Sequence, residues 1–133
     1  MKWMLGTDTC IAIIKKHPLA LRKLRGKSIG QVGISSASMG ELAFGAAKSN
    51  HSKDAREALD EFLLALEVAA FDELAAMRYG DVRASLERRG RPIGPLDTLI
   101  GSHAHALSVI LVTHNTREFS RIEGLRLEDW TVP

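Results

Sequence analysis

The stretch Val109-Ile110-Leu111-Val112-Thr113, followed by His114-Asn115, decides the fold class of this 133-residue chain. Five consecutive apolar or β-branched residues that end in polar ones are typical of a strand buried on both faces of a sheet. Pro95 begins the segment before it, in which apolar residues recur at helical spacing as far as Leu107. A fully apolar strand placed after a helix predicts a parallel sheet covered by helices.

The same alternation of strands and helices extends towards both ends of the chain. Short runs that are mostly apolar predict five strands in all, and segments with helical spacing separate the first four. The predicted strands are residues 2–5, 32–35, 68–71, 109–113 and 126–130. Ser36 or Ser38 is the expected N-cap of the helix after the second strand. We therefore predict a three-layer α/β/α fold with a central, mainly parallel sheet, in a single domain spanning residues 1–133.

Composition narrows the class of protein. The chain is 45% hydrophobic and 26% charged, which is typical of one globular domain. No apolar run approaches the roughly 18–20 residues that a membrane helix needs, and the first residues show no signal-peptide pattern. The single cysteine, Cys10, excludes an internal disulfide framework and is expected in a reducing compartment. We therefore expect a cytoplasmic protein without a membrane partner.

Charge is unevenly distributed along the chain, although the net charge is only +2. Residues 1–49 carry eight Lys or Arg against two acids, whereas residues 53–87 carry four against nine. This asymmetry predicts one basic surface, and solvated faces of amphipathic helices explain it equally well. The candidate phosphate contacts are Arg22, Lys23, Arg25, Arg89, Arg91 and Arg117.

Polar residues stand where the predicted strands end. They comprise Gly6-Thr7-Asp8 after the first strand, Glu41 in the helix after the second, Thr113 and Asn115 at the fourth, and Asp97 at the start of the preceding helix. In an open parallel sheet, ligands bind at the carboxyl ends of the strands, so we expect these residues to converge at one rim. Oxygen donors without Cys or paired His suit Mg²⁺ or Mn²⁺. The same residue types also cap helices and form turns, which leaves a structural role open for each of them.

Other kinds of site find less support in the sequence. His103 and His105 are two residues apart in a predicted helix, so they face different directions and make a poor zinc pair. No glycine-rich nucleotide motif is present. A phosphorelay receiver needs a lysine near its last strand, and no lysine follows Lys53.

Four blocks of the chain resemble the VapC toxins, which have the PIN fold. The opening Trp3-Met4-Leu5-Gly6-Thr7-Asp8-Thr9-Cys10-Ile11 resembles the start of that family, normally Met-Leu-Asp-Thr-Asn followed by a small apolar helix. The other blocks are residues 34–45, residues 94–104, and residues 111–119 together with 124–130. They cover nearly the whole chain in the expected order, and on them the chain is identified as a member of this family.

The resemblance implies a homodimeric, Mg²⁺-dependent endoribonuclease (Mn²⁺ being an alternative), the toxin of a bacterial toxin–antitoxin pair. Such a toxin cuts structured RNA, commonly tRNA, and is silenced by a VapB-type antitoxin. By the same resemblance, three residues match positions of the metal and catalytic site, namely Glu41, Asp97 and Asn115. Hydroxyls expected to support the site are those of Thr7, Ser36 and Thr113, and Glu118 is an outer candidate. Arg89, Arg91 and Arg117 are the expected RNA contacts.

The chain departs from the family pattern at Gly6, where the family has its first metal-binding aspartate. Glycine cannot coordinate a metal through a side chain. Asp8 stands where the family usually has asparagine, and its carboxylate is a candidate replacement. We therefore expect weak or absent cleavage by this chain. The alternatives are a catalytically dead protein that binds only antitoxin, RNA or both, and a nuclease of the same fold that acts on DNA or on particular nucleic-acid structures.

Overall fold

Five parallel strands form one sheet, in the order β3-β2-β1-β4-β5, in the computed structural model, which describes all of residues 1–133. The strands are β1 (Trp3–Leu5), β2 (Val32–Ser35), β3 (Glu67–Ala69), β4 (Ile110–Val112) and β5 (Leu127–Glu128). β1 is central and pairs with β2 on one side and with β4 on the other. The N-terminal strand therefore joins the two halves of the sheet.

Seven helices connect the strands. They are α1 (Thr7–Ile14), α2 (Pro18–Arg25), α3 (Ser36–Lys48), α4 (Ser52–Leu63), α5 (Glu73–Arg88), α6 (Pro95–Leu107) and α7 (Thr116–Phe119). Proline begins α2 and α6, where its missing N–H costs nothing because the first turn of a helix has no acceptor for it. No helix has both the length and the apolar character that a membrane crossing requires.

The core lies on both faces of the sheet, because successive residues of a strand point to opposite sides. Trp3 and Leu5 of β1 pack with α1 to α4 on one face. Met4, between them, packs on the other face with Val82 of α5 and Ile100 of α6. The predicted three-layer α/β/α fold with a parallel sheet is confirmed.

Three local features differ from the sequence expectation. The N-cap of α3 is Ser35, whose Oγ accepts a hydrogen bond from the Ala37 N–H at 3.1 Å, so the choice of Ser36 or Ser38 was wrong. Helix α7 was not predicted, because its four residues are too few to show helical spacing. The third strand is Glu67–Ala69 rather than residues 68–71.

Gly33 lies at a point of close approach between β2 and β3. A Cβ added there would stand 2.5 Å from the carbonyl oxygen of Glu67 and 2.4 Å from the end of the Met1 side chain. Because the carbonyl belongs to the paired strand, it cannot move away without disturbing the ladder. Glycine is therefore required at this point of the sheet.

Candidate functional site

A cavity of about 280 Å³ opens at the carboxyl edge of the sheet, beside the ends of β1 and β4. Seven of the residues singled out in the sequence line it, namely Gly6, Thr7, Asp8, Glu41, Asp97, Thr113 and Asn115. They come from four distant parts of the chain. The parallel arrangement of the strands therefore brings together the residues that the strand-end rule selected.

Glu41, on α3, is half-buried, and a residue of the neighbouring helix α1 orients its carboxylate. The hydroxyl of Thr7, the first residue of α1, donates a hydrogen bond to Glu41 Oε1 at 2.7 Å. This bond satisfies one oxygen of a charge that would otherwise be costly to bury. The other oxygen, Oε2, has no hydrogen-bond donor from the protein.

Asp97 lies in the first turn of α6 with its carboxyl group partly buried among other acids. Burial, followed by the negative charges of Glu118 and Glu41, raises the pKa of Asp97 to about 6. Asp8 adds a smaller contribution of the same sign. A carboxyl group held among like charges favours either a proton or a cation. The cavity is therefore electrostatically suited to a positive ligand.

Glu118 joins the start of α6, which carries Asp97, to the segment after β4 that carries Asn115. Its Oε1 accepts a hydrogen bond from the Gly94 N–H at 3.0 Å, directly before α6. Its Oε2 accepts a hydrogen bond from the side-chain amide of Asn115. Glu118 thus holds the start of α6 against the end of β4, which explains why its charge reaches Asp97.

The Asp8 carboxylate is occupied by hydrogen bonds at the ends of β1 and β4. It accepts from the Thr9 N–H at 2.9 Å, from the Thr113 hydroxyl at 3.0 Å and from the His114 N–H at 2.9 Å. Thr113 in turn accepts from the Asn115 N–H at 3.0 Å. Asp8 therefore secures the chain reversal that presents Asn115, although it also lines the cavity.

Gly6 has an ordinary extended backbone, with φ −68° and ψ 163°, which any residue can adopt. A Cβ at this position would stand 3.0 Å from Asp8 Oδ1 and 3.2 Å from the Val112 carbonyl oxygen. A side chain at position 6 therefore fits only if these neighbouring atoms shift by a few tenths of an ångström. Glycine here is consequently not a backbone requirement.

The donor set of the cavity suits a hard divalent cation in chemistry but is sparse in number. No group of three His, Cys, Asp or Glu side chains in the chain is close enough to form a metal site by itself. Mg²⁺ often uses only one or two carboxylates and keeps several waters, so Glu41 and Asp97 meet that lower requirement. Asp8, the third acid that lines the cavity, is engaged in hydrogen bonds within the protein, as is Glu118 outside the lining.

The other predicted residues, including Glu118 and the basic residues Arg22, Lys23 and Arg25, lie outside the cavity lining. The Ser36 hydroxyl accepts a hydrogen bond from the Phe71 N–H at 3.0 Å and so supports the loop after β3. Arg89 donates to the carbonyl oxygen of Arg121 and lies 3.8 Å from Glu123, which gives it a local structural role. Arg91 and Arg117 are exposed.

Three apolar residues of the cavity were not singled out in the sequence, namely Ile11, Ile100 and Phe119. Their spacing from polar site residues could have identified them in the sequence. Ile11 follows Asp8 by three residues, Ile100 follows Asp97 by three, and Phe119 follows Asn115 by four, so each shares a helix face with a polar site residue.

Comparison with known proteins gives a consistent result. The family model for the PIN domain matches residues 4–125. The tRNA(fMet)-specific endonuclease VapC of Shigella flexneri is 41% identical over 131 residues, covering 98% of this chain and 99% of that protein. Ribonuclease VapC2 of Rickettsia felis is 40% identical over 133 residues, with 98% of each covered. The fold matches a crystal structure of DNA-bound VapBC from Salmonella typhimurium with a TM-score of 0.93, at 41% identity and 98% coverage of both chains.

Proposed function

This chain belongs to the VapC family of PIN-domain endoribonucleases, and from that premise we propose that it is the toxin of a toxin–antitoxin pair, cutting RNA with a divalent metal at the cavity. Relatives that span almost all of this chain carry the names of ribonucleases, two of them specific for tRNA(fMet). We infer tRNA as the substrate class and Mg²⁺, or Mn²⁺, as the metal.

One observation carries this proposal: Glu41, Asp97 and Asn115 meet at one cavity with Gly6. Of the three carboxylates that line the cavity, Glu41 and Asp97 have less hydrogen bonding to the protein than Asp8. The raised pKa of Asp97 reflects its burial and then the repulsion by the negative charges of Glu118 and Glu41. A bound cation removes that repulsion, so relief of the repulsion contributes to metal binding.

The residues of this chain have separate roles in the proposed reaction. Glu41 and Asp97 would hold the metal, which when bound would supply Lewis-acid chemistry for hydrolysis of a phosphodiester. Thr7 fixes the direction of Glu41 through its 2.7 Å hydrogen bond. Glu118 and Asp8 hold Asn115 and the start of α6 in place, so that Asn115 can orient a polar group of the substrate.

Because Gly6 replaces a metal-binding aspartate of the family pattern, the metal site of this chain should bind its metal more weakly. Even losses of residues behind the metal ligands cost roughly 10–100-fold in affinity or activity, and loss of a direct ligand should cost at least about 100-fold. Asp8 does not supply a free carboxylate, because three donors occupy it. These hydrogen bonds favour a second candidate function: a protein that occupies its antitoxin, and grips RNA, with little or no cleavage.

An antitoxin of the VapB type is the proposed partner, and a homodimer is the proposed assembly. Three structures similar over 98–99% of this chain are described as VapBC complexes. A second cavity, of about 440 Å³ and mostly apolar, borders the site and shares Ile11 and Glu41 with it. A partner segment seated there would block access to the carboxylates.

The test is cleavage of total tRNA in Mg²⁺ and in Mn²⁺ by this chain beside its Asp97→Asn variant. The proposal expects slow cleavage that EDTA abolishes and that Asp97→Asn does not show. Metal-independent cleavage, or cleavage that survives Asp97→Asn, would contradict it. Absence of cleavage with retained VapB binding would establish the second candidate instead. Equal cutting of single-stranded DNA would support the DNA-acting alternative.

A further inference from the structure

The two carboxylates proposed to hold the metal reach the cavity from two different helices. Glu41 is on α3 and Asp97 is on α6. Their separation is therefore set by how these two helices lie against each other. A residue that fixes the relative position of these helices affects the site without contacting a bound metal or substrate.

His103 provides a direct connection between these helices. It lies on α6 with only 1% of its surface exposed, and its Nδ1 lies 2.8 Å from the Ser35 Oγ. Ser35 is fully buried and is the N-cap of α3, accepting from the Ala37 N–H. No other side-chain hydrogen bond joins α6 to α3 or to its cap; the nearby hydroxyls of Ser38 and Ser102 are buried without partners.

The segment that follows β3 also contacts the imidazole ring of His103 and helps to fix its orientation. The Phe71 ring meets it edge-on, with centroids 5.3 Å apart and planes at 78°. The Phe71 N–H donates to the hydroxyl of Ser36, next to Ser35. Burial lowers the pKa of His103, while the charge of Asp72 opposes that change. The ring therefore stands in one orientation between three elements.

We propose that His103 is a positioning residue for the carboxylate pair, because its hydrogen bond to Ser35 sets α6 against the start of α3. An aliphatic side chain of similar size would fill the space but leave the Ser35 hydroxyl without its partner. The helices would then be free to slide by a fraction of an ångström, which is enough to weaken a shared metal site. This inference rests on the proposed function in treating Glu41 and Asp97 as joint ligands.

The test measures the affinity of the full chain for Mn²⁺, with no other ligand present. Calorimetry and the electron paramagnetic resonance signal of Mn²⁺ both report the binding. His103→Leu should weaken Mn²⁺ binding about tenfold, a loss typical of groups behind a ligand. His103→Asn, whose amide still reaches Ser35, should restore most of the affinity. Because the two residues act through one bond, His103→Leu combined with Ser35→Ala should bind no more weakly than the weaker single variant.

Matched controls separate positioning from loss of fold. His105→Asn changes a histidine on the same helix whose ring contacts Arg78 of α5 rather than α3, and it should leave Mn²⁺ affinity unchanged. Unaltered Mn²⁺ binding by folded His103→Leu would overturn the inference. If that variant does not fold, wild-type affinity in Ser35→Ala would overturn it equally.

A metal-independent measurement keeps this inference distinct from the proposed function. Residual dipolar couplings report the angle between α3 and α6 without any metal. If the unsubstituted chain binds no Mn²⁺, the proposed metal site fails, whereas a changed angle in His103→Leu that His103→Asn restores still supports positioning. An angle identical in all variants would overturn it.

Discussion

The Asp8 carboxylate lies 3.0 Å from the point that a Cβ on Gly6 would occupy. This distance is shorter than most real contacts of a Cβ, so a side chain at position 6 requires Asp8 to shift by a few tenths of an ångström. An acidic side chain would also place like charges side by side, which disfavours ionisation of both. Positions 6 and 8 are therefore coupled, both sterically and electrostatically.

We expect Gly6→Asp combined with Asp8→Asn to cut tRNA faster than Gly6→Asp alone. The added aspartate supplies the missing ligand, which should raise cleavage at least about 100-fold over the unsubstituted chain. Asparagine at position 8 keeps a hydrogen-bonding group beside Thr113 while removing the adjacent charge. Rates measured with one tRNA pool in Mg²⁺ check this, with Asp8→Asn as the control. Equal rates for the single and double variants would show that the two positions are independent.

Asp97→Asn should stabilise the protein in a pH-dependent way. The folded-state pKa of Asp97, about 6, exceeds its ordinary value of 3.8, so the folded protein binds the proton more tightly. Stability from this group is therefore present at low pH and falls as the pH rises through about 6. The variant should match the parent near pH 4 and melt roughly 2–4 °C higher above pH 6.5. A constant difference in Tm across this range would contradict the assignment.

Glu118→Gln should lower the pKa of Asp97 towards its ordinary value. The substitution removes the negative charge that raises this pKa most, while an amide oxygen can still accept from the Gly94 N–H. Carbon-13 NMR titration of the aspartate carboxyl groups measures the change. Glu123→Gln, at an exposed acid paired with Arg89, is the matched control and should leave the titration of Asp97 where it was.

Gly33→Ala should destabilise the fold by about 1–3 kcal/mol, the usual cost of overpacking a fixed core position. Its Cβ would fall 2.5 Å from the Glu67 carbonyl oxygen. Gly40→Ala is the control, because nothing lies within 4 Å of a Cβ at that position of α3. Alanine there should stabilise the helix by up to about 1 kcal/mol. Urea denaturation of the two variants and the parent gives both values.

Arg91→Ala and Arg117→Ala should each weaken tRNA binding and lower its salt dependence. Both side chains are exposed, and removing one arginine–phosphate ion pair should reduce the slope of log affinity against log salt by about 0.7–0.9. Arg89→Ala should change thermal stability more than the slope, because Arg89 is tied to Arg121 and Glu123. Fluorescence anisotropy with labelled tRNA at several salt concentrations tests all three. An unchanged slope for Arg91→Ala and Arg117→Ala would remove them from the RNA surface.

Much of the fold could be predicted because its signals are local. The apolar run at Ile110–Val112 and the polar residues after each strand are visible in the sequence, and the parallel-sheet rule then places Glu41, Asp97 and Asn115 at one rim. The metal, the RNA class and the roles of those residues come from family resemblance and stay proposals.

Other features of the site depend on contacts that a sequence does not display. Ser35, Ser36 and Ser38 are equally good caps, and the choice of Ser35 follows from where β2 ends. The bridge made by Glu118 depends on the loop at Gly94 lying beside it, 24 residues away. The pKa of Asp97 depends first on its burial and then on the charge that this bridge holds beside it, so it cannot be predicted from the residue alone.

The central place of β1 has a consequence for the timing of synthesis. The hydrogen bond between Thr113 and Asp8 joins two residues that are 105 positions apart in the chain. The pairing of β1 is likewise complete only when β4 has been made. A growing chain therefore displays Glu41 long before Asp97 and Asn115 have been translated. The carboxylates cannot come together until nearly the whole polypeptide has left the ribosome. If the chain cuts RNA as proposed, it cannot do so before this late stage of its own synthesis.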